Sequence, residues 1–199
     1  MINEVKKHVT SILKNDLSSD MTYHSLNHTE EVVKSSLEIA NMQGLDSEEM
    51  EIVQIAAWFH DLGYTEGCVS HEACGAKMAR SFLEEKGYDP SSIDKVEGCI
   101  MATQMPQNPQ NKLEQILCDA DLMHLAKGDY FKKAELLHEE IQKVNDKKIS
   151  DKDWLEMNKE FLSNHCFFTD YARKNYASAV QKNLEKVKER LKSWQKKTK

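Results

Sequence analysis

Paired start and stop signals for helices recur along this chain and leave little of it for strands. Asp46 is followed three residues later by Glu49, the pattern of a capping box, and Asp89 precedes a proline that can open another helix. Gly44 and Gly87 stand where the helical periodicity stops. The sequence has only 7 Gly and 3 Pro residues, and no segment has a convincing strand pattern. These patterns predict an all-α fold.

The apolar periodicity between these signals indicates nine helices in a single domain that spans residues 1–199. The one clear irregular loop is QMPQNPQN, residues 104–111. The predicted helices cover about residues 2–17, 28–43, 46–62, 70–86, 90–103, 111–121, 132–147, 151–163 and 170–196.

The charge of the chain is unevenly distributed. The net charge is −6, but Arg173–Lys199 carries +8 and the residues before it carry −14. A basic helical tail can contact nucleic acid or an anionic membrane, but a solvated helix face with frayed lysines is the favoured interpretation. Because the rest of the chain is acidic, neither nucleic acid nor a membrane is expected as a partner.

Cysteine usage and hydropathy indicate a cytoplasmic protein. The five cysteines, at 68, 74, 99, 118 and 166, are odd in number and never spaced CxxC, so neither a disulfide framework nor a thiolate zinc site is expected. No apolar run approaches the ~20 residues that cross a bilayer. The charged N-terminal stretch is typical of an amphipathic helix rather than a signal peptide.

A His-Asp pair ends an apolar helix in the stretch IAAWFHDLGY, at His60 and Asp61. Adjacent helical residues point roughly 100° apart, so both side chains reach one ion only if it lies off the helix end. Upstream, His24 and His28 share a face if their stretch is helical. Downstream, Asp121 lies in the apolar stretch ILCDADLMHL, where a buried carboxylate needs a partner such as a cation.

These stretches, with YHSLNHTEEV at 23–32, resemble the HD-domain superfamily of metal-dependent phosphohydrolases. HDLGY followed by HEACGAKMA at 71–79 is similar to small bacterial members. The resemblance spans about residues 20–140 and leaves a C-terminal helical extension at about 150–199. It implies a helical bundle of the HD type whose metal ligands are His28, His60, Asp61 and Asp121.

Such a ligand set suits one divalent transition metal, namely Mn²⁺, Fe²⁺, Co²⁺, Ni²⁺ or Zn²⁺. An octahedral ion would keep two positions, one for a water and one for a phosphate oxygen, and would activate that water for attack at phosphorus. A closed tetrahedral zinc would instead be structural, although structural sites usually contain cysteine.

Two departures from the family pattern refine this expectation. His71 with Gly75 fits the HxxxG setting of dimetal members, but Thr103 stands where a later histidine would complete their second site. One tightly held ion is therefore expected, with His71 binding substrate phosphate or weakly supporting a second ion. Tyr64 stands where alarmone hydrolases and deoxynucleotidases of the superfamily have an acidic residue, which argues against those activities.

Further residues are candidates that have ordinary alternatives. His24 could donate a proton to the leaving oxygen, as its counterpart does in the phosphodiesterases of the family, or cap a helix. Glu66 could orient the attacking water and Lys127 could bind phosphate, and each is otherwise an exposed charge. His165 and Thr169 could close the pocket or serve as core and cap residues.

The leading interpretation is a hydrolase that cleaves a phosphate ester or anhydride of a nucleotide-like small molecule. Phosphomonoesterase and phosphodiesterase activities are not distinguished, because a fold does not select a substrate. The alternative is a nucleotide- or metal-binding regulatory protein that has lost turnover, although all four ligand positions are retained. An interaction protein that docks through its basic tail is a third interpretation, and a homodimer stays open.

Overall fold

The computed structural model describes residues 1–67, 70–146 and 148–197, with side chains through residue 194. Over these residues the chain forms α-helices and two short 3-10 helices but no strand, which confirms the predicted all-α fold. The chain divides into two compact units, Met1–Leu122 and Met123–Lys199. The expected single-domain organisation stays a prediction.

Six α-helices form the first unit, and a 3-10 helix, Leu62–Glu66, connects the third helix to the fourth. The α-helices are α1 (Ile2–Asn15), α2 (Leu26–Met42), α3 (Ser47–Phe59), α4 (His71–Glu85), α5 (Pro90–Ala102) and α6 (Lys112–Asp121).

The predicted caps are present at the helix N-termini. The Asp46 carboxylate accepts hydrogen bonds from the N–H groups of Glu48 and Glu49, and the Glu49 side chain accepts one from Asp46 N–H. At α5, the Asp89 carboxylate accepts a hydrogen bond from Ser92 N–H. These bonds satisfy N–H groups that a helix terminus leaves without intrahelical partners, and they fix where each helix begins.

Helix α3 lies at the centre of the first unit and packs against α1, α2, α4, α5 and α6. All residues of its last five positions, Ile55–Phe59, are buried. A helix that is apolar on every side belongs in a core rather than on a surface. The C-terminus of α3 therefore carries the residue that follows it, His60, into the interior of the unit, where it is 0% exposed.

The end of α3 differs from the sequence-based expectation, which placed it near Gly63. The α-helix ends at Phe59, and the chain then tightens into the 3-10 helix, in which Tyr64 N–H donates a hydrogen bond of 3.1 Å to Asp61 O. Such tightening of the last turn is common at helix C-termini. His60 keeps helical backbone angles, with φ −54° and ψ −39°, whereas Asp61 has φ −105° and ψ 2°, so the chain leaves the α-helix at Asp61.

Helix α4 approaches the end of α3 backbone to backbone, through two glycines. A Cβ atom on Gly63 would lie 2.0 Å from His71 O, and one on Gly75 would lie 2.6 Å from Phe59 O. Any larger residue at either position would force the two segments apart. The glycines thus bring the first turn of α4, with His71, beside the His60-Asp61 pair.

Three α-helices form most of the second unit: α7 (Tyr130–Val144), α8 (Asp151–Asn164) and α9 (Asp170–Lys197). They follow a second 3-10 helix, Leu122–Ala126. The Asn183 side chain donates hydrogen bonds to Leu125 O and Lys127 O, which holds α9 against this connection. Lys147, at the end of the predicted helix 132–147, lies outside the described residues. None of the described helices is both long and apolar enough to cross a membrane.

The cysteines differ from the expected absence of disulfides. Cys74 is disulfide-bonded, whereas Cys99, Cys118 and Cys166 are free thiols. Cys68 lies outside the described residues. Because a disulfide is present, the cysteine pattern no longer argues for a reducing compartment.

We expect Gly75→Ala to lower the free energy of unfolding by about 1–3 kcal/mol, the usual cost of an overpacked contact. Its Cβ would lie only 2.6 Å from Phe59 O, and backbone cannot give way as a side chain can. Gly98→Ala in α5 is the matched control, since its Cβ would meet only the movable end of Glu114, at 3.2 Å. Urea unfolding measures both variants, and equal midpoints for them would contradict the close approach.

Candidate metal centre

Four polar residues converge inside the first unit from separate elements of the chain. His28 lies in the first turn of α2, His60 and Asp61 follow α3, and Asp121 is the last residue of α6. The side chains of the two histidines are 3% and 1% exposed, and those of Asp61 and Asp121 are 7% and 18% exposed. The structure therefore brings together the four residues that the sequence singled out.

The facing atoms are imidazole Nε2 atoms and carboxylate oxygens. His28 Nε2 lies 3.3 Å from Asp61 Oδ2 and 3.3 Å from Asp121 Oδ1. His60 Nε2 lies 3.1 Å from Asp61 Oδ2 and 3.7 Å from Asp121 Oδ1. Two donor atoms that are each about 2.1 Å from one ion lie about 3.0 Å apart at a right angle. The separations are therefore those of atoms that can share a single cation.

Three of these converging atoms are buried without a hydrogen-bond partner, namely His28 Nε2, His60 Nε2 and Asp61 Oδ2. They are close to one another, but the geometry is not that of hydrogen bonds. Buried polar atoms normally have partners, because leaving one unsatisfied costs free energy. The donor set and its unsatisfied atoms fit a divalent cation, and His28, His60 and Asp121 each offer a ligand atom within 4.8 Å of the others.

The tautomer of His60 is set by the helix that carries it. His60 Nδ1 lies 2.9 Å from Ala57 O, and because a carbonyl oxygen can only accept, Nδ1 carries the proton. The lone pair of Nε2 is then directed toward the two carboxylates. A backbone carbonyl that orients a histidine in this way is the usual arrangement behind a metal-binding imidazole.

The electrostatics of the ion-free cluster favour charged forms. Burial by itself would lower the pKa of both histidines, but the Asp61 and Asp121 carboxylates outweigh it and raise the pKa of His28, and that of His60 still more. Burial would raise the pKa of the two carboxyls, but the facing histidines hold the pKa of both below its usual value. Protons therefore occupy the cluster when no cation does.

His71 lies on the other side of Asp61, at the first position of α4. His71 Nε2 is 3.5 Å from Asp61 Oδ1 and 3.5 Å from Glu72 Oε1. Burial lowers the pKa of His71, against the opposing effect of these two carboxylates, so its neutral form is favoured near pH 7. Asp61 thus presents Oδ2 to His28 and His60 and Oδ1 to His71.

His24 lies close to His71, on the side of Asp61 that Oδ1 faces, although the stretch that contains His24 is not helical. It precedes Ser25, the N-cap of α2, so the face shared with His28 on one helix was not found. Its ring centroid is nevertheless 5.7 Å from that of His28, 4.6 Å from that of Tyr64 and 6.3 Å from that of His71. His24 is half-buried and borders the cluster.

The structure also gives the surroundings of three other residues that the sequence singled out, Glu66, Thr103 and Lys127. Glu66 is exposed and lines a cavity of about 510 Å³ with residues of α1 and α4, including His8 and Cys74. Lys127 is exposed in the second unit, with its Nζ 5.9 Å from the centroid of Tyr176. Thr103, where dimetal relatives would have a histidine, is buried and donates a hydrogen bond to Ile100 O.

The two candidates from the C-terminal helices also belong to the second unit. His165 packs its ring against Phe167, and burial lowers the pKa of its imidazole to about 4. Thr169 is buried, and its Oγ1 accepts a hydrogen bond from Ala172 N–H at the start of α9. That contact matches the capping alternative for Thr169.

Sequence reasoning missed two residues that touch His71. Glu72 is 6% exposed and places Oε1 beside His71, while its Oε2 accepts a hydrogen bond from Ser70. Tyr64 stacks on the His71 ring. The signal for Glu72 was its place next to His71, but an acidic residue in a first helical turn is ordinary. No sequence signal indicates the stacking, because it depends on the 3-10 turn.

Comparisons with known proteins agree with this geometry. The model of the HD-domain family matches residues 25–126, which contain all four converging residues. The chain is also similar to the crystal structure of a predicted HD superfamily hydrolase from an uncultured Thermotogales bacterium, with a TM-score of 0.65 and 22% sequence identity. That similarity covers 94% of this chain and 92% of the other, and at this identity it concerns the fold. No curated protein matches the chain. Because the family model matches more than half of its residues, the chain belongs to the HD-domain family.

Proposed function

We propose that the chain is a metal-dependent phosphohydrolase that cleaves a phosphate ester or anhydride of a nucleotide-like small molecule. The observation that carries the proposal is the convergence of two imidazoles and two carboxylates, in which His28 Nε2, His60 Nε2 and Asp61 Oδ2 are buried without hydrogen-bond partners. Membership of a family whose domains bind divalent metals supports it. The substrate class is inferred from the resemblance described above.

His28, His60, Asp61 and Asp121 would hold the cation, which is one divalent ion of Mn, Fe, Co, Ni or Zn. When bound, such an ion activates a water and neutralises charge on phosphate. The protein's own contribution is to keep these ligands fixed in a dry interior. The hydrogen bond from His60 Nδ1 to Ala57 O and the burial of α3 do this for His60.

His71 would contact a substrate phosphate. It is the most exposed of the three histidines around Asp61, with 22% of its side chain accessible. In its neutral form it has one N–H to donate to a phosphate oxygen. Its ring centroid is 6.3 Å from that of His24, so the two rings are neighbours at the edge of the cluster.

His24 would donate a proton to the leaving oxygen, since it is half-buried at the edge of the cluster and T-shaped to His28. The proposal does not use Glu66, which lies exposed beside α1 and α4, or Lys127, which lies in the second unit. Their roles in orienting water and binding phosphate stay predictions.

We expect protein purified without added ions to hold about one transition metal per chain, measured by elemental analysis. Asp121→Asn and His60→Gln should lose that metal together with Mn²⁺- or Ni²⁺-dependent hydrolysis across a panel of phosphate esters, because each removes a ligand. The matched controls are Asp20→Asn, at an exposed position, and His8→Gln, on α1. Both should keep metal and activity.

Two outcomes of this experiment would count against the proposal. Folded protein that binds none of the tested ions would remove the metal-dependent enzyme. Full metal occupancy without hydrolysis of any ester or anhydride would favour the regulatory protein that has lost turnover.

We expect the increase in melting temperature caused by Mn²⁺ to grow between about pH 6 and pH 8. Without the ion, the raised pKa of His28 and His60 means that their pairing with the carboxylates is complete below the unfolded value of 6.5 and is lost as pH rises through the folded pKa. Mn²⁺ binds neutral imidazoles, so the stabilisation that the ion provides increases as pH rises. Thermal unfolding with and without Mn²⁺ measures the difference, and His8→Gln should show the same trend as the wild type. A Mn²⁺-induced increase in melting temperature that does not depend on pH would contradict this expectation.

A further inference from the structure

Tyr64 is tied by its backbone to the residue that lies between the two sides of the cluster. It is the third residue of the 3-10 helix Leu62–Glu66, and its N–H donates a hydrogen bond of 3.1 Å to Asp61 O. This i to i+3 bond sets the distance and direction from Asp61 to the Tyr64 Cα. The hydrogen bond thereby positions the phenol ring over the first turn of α4.

The Tyr64 ring lies flat on the imidazole of His71. The two centroids are 3.9 Å apart and the planes differ by 14°, which is the closest of the ring contacts around the cluster. His24 is at the side of Tyr64, with centroids 4.6 Å apart and planes that differ by 31°. Tyr64 therefore covers one face of His71 and also contacts His24, the other histidine on this side of Asp61.

The backbone of His71 is already fixed by the close approach of Gly63 and Gly75. What remains free is rotation of the imidazole about its side-chain bonds, and rotation of the ring plane would drive it into the phenol. With that rotation restricted, Nε2 stays 3.5 Å from both Asp61 Oδ1 and Glu72 Oε1. A stacked ring restrains the imidazole through its face, so neither ring nitrogen is consumed by the restraint.

We propose that Tyr64 is a positioning residue whose ring orients His71 for substrate phosphate. The inference rests on the proposed function, because it assigns Tyr64 an effect on phosphate binding that acts through His71. The aromatic face is the required feature, and the hydroxyl is not. A side chain without a ring at this position leaves His71 free to turn away from Asp61.

The orientation is tested first, on metal-free protein, by the ¹H–¹³C spectrum of the histidine rings. The His71 resonance is assigned by its absence in His71→Gln. A proton over a phenol face is shifted upfield, so the shift should be present in the wild type and in Tyr64→Phe. It should be lost in Tyr64→Leu and in Tyr64→Gln. Two ringless variants are used so that the test still holds if one of them does not fold. An unshifted His71 resonance in the wild type would overturn the inference.

The consequence for binding is tested with inorganic phosphate and Mn²⁺-loaded protein by titration calorimetry. Tyr64→Leu should weaken phosphate binding about 2- to 12-fold, the factor that corresponds to the strength of one aromatic pair. Tyr64→Phe should bind like the wild type. In the His71→Gln background, Tyr64→Leu should cause no further loss, because the effect is transmitted by His71.

A further loss in the double variant, or a loss in Tyr64→Phe as large as in Tyr64→Leu, would overturn the positioning role. So would unchanged phosphate binding in both ringless variants. If the wild type binds Mn²⁺ but neither binds phosphate nor hydrolyses esters, the proposed function fails. The inference then fails in its phosphate part, while the His71 resonance still decides the orientation.

Discussion

Burying two imidazoles and two carboxylates in one helical unit is the constraint on which the rest of this structure depends. Ionisable groups are costly to remove from water unless they are paired or bound to a cation. The fold meets that cost for four such groups where His28, His60, Asp61 and Asp121 meet. The last five residues of α3, Ile55–Phe59, are all apolar and buried, so the end of this helix reaches the interior point, and α2 and α6 each contribute one residue to the same place.

Much of this architecture could be predicted from local patterns in the sequence. Asp46 and Glu49 determine where α3 begins, because their side chains satisfy the N–H groups at its start. Asp121 could be singled out because a carboxylate in an apolar segment needs a partner. The HD-domain resemblance then grouped residues that lie far apart in the chain, which no local pattern can do.

The rest depends on contacts that the sequence does not display. The 3-10 turn after α3 sets the position of Tyr64 relative to Asp61, and Gly63 and Gly75 allow α4 to approach this turn backbone to backbone. A glycine pair has many uses, so its spacing alone does not indicate a close approach. Glu66 is five residues from Asp61 and lines a cavity beside α1 and α4, so its predicted role near the attacking water stays a prediction. The fold also does not identify the substrate, because one fold supports many different functions.

Asp61 has one carboxylate oxygen facing the two buried histidines and the other facing His71. A cation on the side of Oδ2 and a ligand on the side of His71 would both act on the same planar carboxylate. Either one would alter the charge distribution and the rotation of that carboxylate. If a ligand beside His71 changes the affinity of the cluster for a cation, thermodynamic linkage requires the cation to change the affinity for that ligand by the same factor. Under the proposed function, one side chain of four heavy atoms beyond the backbone would thus be sufficient to make ion loading and substrate capture reciprocal rather than independent events.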